Sequence, residues 1–312
     1  MSTSTLPSIV CIGASLVDLN FRCNATPQLQ TSNPSKLFKS PGGVVRNIAH
    51  HLAQLGNKTE LISAFGNDLD AGWLKEVCTK AGIGLNHAAT FDEGSGTFAS
   101  ILSPEGDLAV GAVAGEINSR LDIPFLAERS SLIKSADLVL ADCNLKSDAL
   151  RWLISFCDTY TIPLIIETVS VPKAQRLQSS LPGNLLLIKP NLEEIEVFGI
   201  EKKSSQSIEE RISFLHESGV RYVWLSKGDE GSILSDGTKM YSIPAPQVEI
   251  KDTTGAGDAA TAGWIHAYLQ GKDLLTCIRT GHAAAAAILE TAGSVRDDFS
   301  VELLLRYYSK IY

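Results

Sequence analysis

Residues 8–19 (SIVCIGASLVDL) form a nearly unbroken apolar run that ends in small and acidic residues, the pattern of a strand buried on both faces of a parallel sheet. This run is expected to be the first central strand. Residues 44–55 show helical spacing behind the pair Gly42 and Gly43 and close on Gly56. A strand over 59–65 and a helix over 69–81 follow. Beyond residue 136 the alternation becomes regular, with strands expected at 137–141, 163–167, 185–188 and 222–226, each trailed by a helical pattern. That rhythm predicts a doubly wound α/β sheet. Ligands of such sheets bind outside the carboxyl ends of the strands, so residues 15–18, 142–144, 189–194 and 226–231 are expected to line one crevice.

Between residues 83 and 114 the texture changes to short alternating pieces, 97–102 and 108–113, joined by Pro104, Glu105, Gly106 and Asp107, a hairpin signal. Together with the polar stretch 21–40 these pieces predict a small β-sheet lid, about residues 16–41 and 91–115, on a single domain spanning 1–312.

Composition narrows the class of partner. Hydrophobic residues make up 44% of the chain and charged residues 20%, ordinary values for a globular protein. A formal charge of −8 argues against nucleic-acid binding, which draws its affinity from clustered Lys and Arg, and favours a small-molecule ligand. No apolar run reaches the ~18 residues of a transmembrane helix, so no membrane partner is expected. The six cysteines (11, 23, 78, 143, 157 and 277) are scattered without zinc-ligand spacing and read as reduced thiols. The Ser/Thr-rich start lacks a basic region followed by an apolar one, and the expected location is cytoplasmic.

The sharpest chemical signal is residues 251–263 (KDTTGAGDAATAG), where Gly255, Ala256 and Gly257 lead into a small-residue helix. Glycines let the backbone turn tightly and converge several N–H groups on one point, where the helix dipole adds its positive end. Such a turn is an anion hole. Asp258, in the first helical turn, stands where it can take a proton from an attacking hydroxyl, although an acidic residue at a helix start is also an ordinary stabiliser. A second glycine turn, Gly42 and Gly43, precedes Arg46 and Asn47; it is either a plain helix start or a place for a hydroxyl to approach the backbone. Asp18 is a hydroxyl acceptor or a turn former. Asn191 and Glu194 have the spacing of a capping box and can combine capping with function. Ser226, Lys227, Gly228 and Gly231 join two apolar runs as either a hairpin turn or a loop over a nucleotide. His282 lies before an alanine run on a packed helix, where a lone histidine is more often structural.

In this order these segments resemble the ribokinase-like (PfkB-type) carbohydrate kinases over nearly the whole chain. The two family signatures correspond to residues 42–56 and 252–264, with Asn191 and Glu194 between them. The resemblance implies a ribokinase-like three-layer α/β/α core with a small β-sheet lid, and ATP-dependent phosphorylation of a sugar or nucleoside hydroxyl. Asp258 would be the base and the backbone of Gly255, Ala256 and Gly257 the anion hole. Asn191 and Glu194 would lie near magnesium and the phosphates. Lys189, Asn191, Thr253, Ser226, Lys227, Gly228, Gly231 and His282 would surround ATP, and Asp252, Thr254, Ile288, Thr291 and Gly293 would ring a potassium ion. Acceptor contacts would come from Ser15, Asp18, Gly42, Gly43, Arg46, Asn47, Thr97 and Asn144. Within the family, residues 31–36, 42–47 and 141–144 look most like the pseudouridine-phosphorylating branch, whose reaction gives pseudouridine 5′-phosphate and ADP. One departure is Leu16, where many relatives carry Asn. Ribose-, adenosine- and fructose-type kinases share the same machinery. A catalytically silent sugar-binding regulator would be expected to lose Asp258 or the glycines. A dinucleotide oxidoreductase would need a Gly-x-Gly-x-x-Gly turn where the chain has Gly13, Ala14 and Ser15. Related lids pair, which implies a homodimer.

Overall fold

The computed structural model describes residues 6–199 and 206–312. Most of the Ser/Thr-rich start, residues 1–5, therefore lies outside the described residues. The elements in chain order are β1 (Ser8–Ile12), β2 (Leu16–Cys23), β3 (Ser35–Gly42), α1 (Val44–Gln54), β4 (Lys58–Ile62), β5 (Ala64–Phe65), α2 (Leu69–Lys80), β6 (Ala89–Thr90), β7 (Gly96–Leu102) and β8 (Leu108–Ala114). Next come α3 (Ile123–Ala127), α4 (Ser130–Lys134), β9 (Leu138–Asp142), α5 (Ser147–Thr159), β10 (Leu164–Glu167), α6 (Val171–Gln178), β11 (Leu185–Ile188), α7 (Ile208–Glu217), β12 (Val220–Ser226), β13 (Ser232–Ser235), β14 (Met240–Ile243), α8 (Ala256–Leu269), α9 (Leu274–Leu289) and α10 (Val301–Ile311).

The central sheet has the order β14-β13-β12-β11-β10-β9-β1-β4. Its six strands from β12 to β4 are parallel, and β13 and β14 add an antiparallel edge. Alternation along each strand divides the core in two. Ile9, Cys11, Leu138 and Leu140 face α1, α2, α8 and α9, whereas Val10, Ile12, Val139 and Ala141 face α3 to α7. The result is a three-layer α/β/α core. All six cysteines are free and buried. Among the described residues no helix is long and apolar enough to cross a membrane.

A second sheet of four strands, β3-β2-β7-β8, stands apart from the first. Its β7–β8 pair is the expected antiparallel hairpin, turning at Gly106 with φ 103°.

Three sequence expectations change. The run 8–19 is two strands rather than one: the ladder of β1 ends at Ile12, and β2 leaves to pair with β3 and β7. Gly13 stands at the break, where a Cβ would lie 2.6 Å from a carboxylate oxygen of Asp142 at the end of β9. Asp18 therefore belongs to the second sheet and not to the end of a central strand. The run 59–65 likewise breaks, with β5 pairing β6 in a separate two-stranded sheet. Finally, β12 is followed by the antiparallel β13 instead of a helix, and β11 by a capped turn and a short 3-10 turn, Ile195–Val197, before α7.

Candidate active site

The site forms where the starts of α1 and α8 meet over the carboxyl ends of the central strands. Helix α8 starts there because Gly255 caps it in the left-handed region, φ 78°, and a Cβ at that position would lie 2.2 Å from the Ser294 carbonyl oxygen. Only glycine satisfies both constraints. Downstream, Trp264 is fully buried, and the small residues Gly263 and Gly281 let α8 and α9 approach closely. Burial of one such large side chain stabilises by roughly 3 kcal/mol, so α8 is firmly seated. Among the described residues the Gly257 N–H has no partner and the Ala256 N–H makes only a long bond, 3.4 Å, to the Thr253 carbonyl, so both lie at the positive end of the helix dipole with capacity for an anion.

Asp258 sits in the first turn of α8, partly buried. Its Oδ2 accepts a hydrogen bond from Nδ2 of Asn47 at 2.6 Å, joining residues 211 positions apart. Asn47 occupies the first full turn of α1, its N–H donating to the Gly43 carbonyl at 2.8 Å. Gly43, at φ 98°, lets that helix start against the Ala14 carbonyl, which a Cβ would approach to 2.2 Å. Burial pushes the Asp258 carboxyl up to about 7; the Asn47 hydrogen bond opposes this, Glu167 adds to it, and Lys189 and Arg46 draw it down. A carboxylate poised near neutrality beside an anion hole is suited to taking a proton from a hydroxyl.

Lys189 follows β11 with its ammonium 3.6 Å from Glu167 and 3.5 Å from where a Cβ would sit on Gly257. It therefore puts a positive charge beside the turn. Glu167 ends β10, buried, and also accepts from the Thr261 hydroxyl. Burial raises its carboxyl, and Lys189 counteracts that. Neither Glu167 nor Thr261 was singled out in the sequence. An acidic residue ending a strand buried on both faces was the available signal for Glu167.

The capping box expected at Asn191 and Glu194 is present, on a turn instead of a regular helix. Oδ1 of Asn191 accepts from the N–H groups of Glu193 at 3.0 Å and Glu194 at 2.8 Å, while Oε2 of Glu194 accepts from the Asn191 N–H at 3.1 Å and the Thr168 hydroxyl at 2.6 Å. Among the described residues, Oε1 of Glu194 accepts nothing, which leaves one hard oxygen suited to a magnesium ion through its water shell. Ser226 bridges to Asn191, and Ser226, Lys227, Gly228 and Gly231 form the tight turn between β12 and β13, closed by Lys227 N–H to the Gly231 carbonyl at 2.8 Å. His282 on α9 stacks near Trp224 and contacts the Ser232 hydroxyl at 2.8 Å and the Tyr312 hydroxyl at 3.2 Å. Burial pulls it down to about 4, so it is neutral near pH 7.

On the acceptor side, Asp18 lies under Gly42, with its carboxyl pushed up to about 6 by burial against the pull of Arg46. Ser15 is buried between β1 and β2, its hydroxyl without a partner among the described residues. Asn144 follows β9, its N–H bonded to Asp142 at 2.9 Å. Thr97 on β7 pairs with Val17, and its hydroxyl reaches the Ser95 carbonyl at 3.4 Å. Arg46 is fully enclosed and turned toward Pro41, Gly42 and Asn47. Asp252 ties two loops together, accepting from the N–H groups of Thr254 at 2.9 Å and Gly293 at 3.0 Å. Thr253 accepts the Ala256 N–H at 3.4 Å, and Thr291 donates both its N–H and its hydroxyl to the Ile288 carbonyl at 2.9 Å.

A family model described as pfkB family carbohydrate kinase matches residues 6–298. The chain belongs to the pfkB family of carbohydrate kinases. Like them it is an ATP-dependent kinase for sugars or nucleosides. This pfkB-family kinase is 28% identical over 297 residues to a pseudouridine kinase of Escherichia coli, covering 94% of each chain. It is 24% identical over 357 residues to a pseudouridine kinase of Arabidopsis thaliana, covering 95% of this chain and 94% of the relative. Its fold matches that of an Arabidopsis thaliana ribokinase solved with ribose and ATP, at a TM-score of 0.81, 20% identity and coverage of 97% and 99%.

Proposed function

We propose that this kinase transfers the γ-phosphoryl group of ATP to the 5′-hydroxyl of pseudouridine. The observation that carries the chemistry is the Asp258 carboxylate, held by Asn47 at 2.6 Å in the first turn beyond Gly255, where burial pushes it up to about 7. Asp258 takes the hydroxyl proton as the 5′-oxygen attacks the γ-phosphorus. The bond from that phosphorus to the β–γ bridging oxygen breaks, and ADP leaves with the bridging oxygen. N–H groups of the Gly255, Ala256 and Gly257 turn, together with the Lys189 ammonium, stabilise charge on the transferring group. Magnesium, held through water near Glu194 and Asn191, would neutralise charge on the nucleotide phosphates. Lys189, Thr253, the turn of Ser226, Lys227, Gly228 and Gly231, and His282 border the nucleotide, and Asp252, Thr254, Ile288, Thr291 and Gly293 would hold a potassium ion, whose charge would support the anion hole.

Support for pseudouridine is the similarity to two pseudouridine kinases along nearly their whole lengths. Its exposed N1–H is a donor that uridine lacks, and Ser15, whose buried hydroxyl has no partner among the described residues, has an acceptor to spare for it. Asp18, Gly42, Gly43, Asn47, Thr97 and Asn144 complete the acceptor side under the second sheet, which acts as the lid. An unpaired buried acceptor discriminates by roughly 10²-fold or more. Specificity constants for pseudouridine, uridine, adenosine and ribose, measured with ATP, test the assignment, which a preference for adenosine or ribose would remove.

Strand β8 (LAVGAVA) is exposed along its whole length, as are Leu37 and Phe38 of β3. A second copy covering these strands makes the enzyme a homodimer, and Phe38→Asp should give monomers by light scattering. Six buried free thiols suit the reducing cytoplasm.

A further inference from the structure

We infer that Arg46 and Ser294 are positioning residues that fix the Asn47 carboxamide with its N–H side toward Asp258. Arg46 is fully enclosed, and among the described residues it forms no ion pair. Burying an unpaired guanidinium is costly unless every donor is used. Here Nε donates to the Gly42 carbonyl at 3.1 Å, Nη2 to the Pro41 carbonyl at 2.8 Å and to Oδ1 of Asn47, and Nη1 lies 3.5 Å from Nδ1 of His50. The Ser294 hydroxyl has one proton to share between the same Pro41 carbonyl at 3.1 Å and the same Oδ1 at 3.5 Å, so it is the weaker of the two donors to Asn47.

An asparagine amide has two ends of nearly equal shape, and its neighbours choose between them. With Oδ1 facing a guanidinium and a hydroxyl, Nδ2 faces the Asp258 carboxylate. The flipped amide would put a carbonyl oxygen against that carboxylate and an NH2 group against the guanidinium, two repulsions in a buried site. Asn47 occupies one oxygen of Asp258 and leaves the other to the acceptor hydroxyl. The guanidinium that selects this orientation also holds the end of β3, so the second sheet, the amide and the base share one anchor.

Charged groups reach Asp258 from three elements: Glu167 at the end of β10 raises its carboxyl, and Lys189 after β11 and Arg46 on α1 lower it. Around Arg46 stand Asp18 on β2, Cys78 on α2 and Asp258 on α8, with His50 and His51 on its own helix. Burial lowers both histidines, to about 3 and about 4, so neither changes charge in the working range.

This inference rests on Asp258 being the base, and the experiment separates the two. The wild type, Arg46→Lys, Ser294→Ala, Asn47→Ala and the doubles Arg46→Lys/Asn47→Ala and Ser294→Ala/Asn47→Ala are assayed for kcat and KM across pH 5–9. Lysine keeps the charge, but its three donors radiate from a single nitrogen and do not reproduce the planar fork that spans the Gly42, Pro41 and Asn47 acceptors. Arg46→Lys should move the acid limb of kcat upward by roughly half to one pH unit, part of the worth of one hydrogen bond to a charged acceptor. Turnover then falls several-fold more at pH 6 than at pH 8, with KM for ATP unchanged. Ser294→Ala should shift the limb in the same direction by less, and neither substitution should shift it further once Asn47 is alanine. If Arg46→Lys does not fold, Ser294→Ala with and without Asn47→Ala gives the same comparison. Equal losses at every pH, or shifts that add to that of Asn47→Ala, overturn the inference. Retained turnover in Asp258→Asn instead overturns the base.

Discussion

Gly255→Ala separates the strain of a left-handed residue from the crowding of the anion hole. Gly255 has φ 78°, and its added methyl would lie 2.2 Å from the Ser294 carbonyl oxygen and 2.6 Å from the Ser294 Cα. A relaxed contact of this kind needs roughly 1 Å more, and neither atom is a flexible side-chain tip, so one of the two backbones must move. Ser294 is tied on three sides, its carbonyl to His51 at 3.3 Å and its hydroxyl to Pro41 and Asn47. Displacing either segment shifts the turn against Asp258. Gly271, just past α8, provides the control, because it has φ 71° and nothing within 4 Å of an added methyl. Gly271→Ala should cost about 1–2 kcal/mol from backbone conformation alone and leave turnover unchanged. Gly255→Ala should cost at least as much and also reduce kcat by about 10²-fold, the usual consequence of a 1 Å misplacement at a reacting centre. Urea midpoints and ADP formation in a coupled assay measure the two effects. If both variants lose the same stability and Gly255→Ala keeps kcat within about threefold of wild type, the turn is not the anion hole argued from its geometry.

Asp258→Asn should fold and bind ATP while losing roughly two to four orders of magnitude in turnover; near-wild-type rates would remove the base. The same substitution tests the electrostatics, since a carboxyl raised from 3.8 to about 7 by burial binds its proton more tightly in the folded state. Its destabilising effect is absent below pH 4, grows as pH rises through that interval and is complete above 7. Asp258→Asn should therefore be the more stable protein at pH 8, with the advantage closing toward pH 4, and a pH-independent difference in melting temperature would contradict the raised pKa. Glu194→Gln keeps the shape of the capping box but loses the charge, so the magnesium concentration for half-maximal rate should rise with little change in stability. Lower stability with unchanged magnesium dependence would leave Glu194 a cap only.

Features that depend on neighbours along the chain were legible in the sequence. The glycine turn before Asp258, the helix starts at Gly43 and Gly255, the capping box of Asn191 and Glu194 and the β7–β8 hairpin all follow from backbone conformation and hydrogen bonding over a few residues. So did the alternation from residue 137 onward that gives the parallel sheet. Hydropathy does not say which sheet an apolar strand joins, and residues 8–19 accordingly read as one strand. The residue at the break, Gly13, has no room for a side chain because the Asp142 carboxylate approaches it from 129 residues away in the chain. The pairing of Asn47 with Asp258, the Glu167–Lys189 ion pair under the turn and the enclosure of Arg46 were likewise decided by tertiary structure. Burial raises the Asp258 carboxyl to about 7, and burial exists only once α1, α8 and the strand ends have closed around it. The sequence by itself determined which residues can form turns, caps and an anion hole; packing determined which charges meet there, because a charge interacts through space and not along the chain.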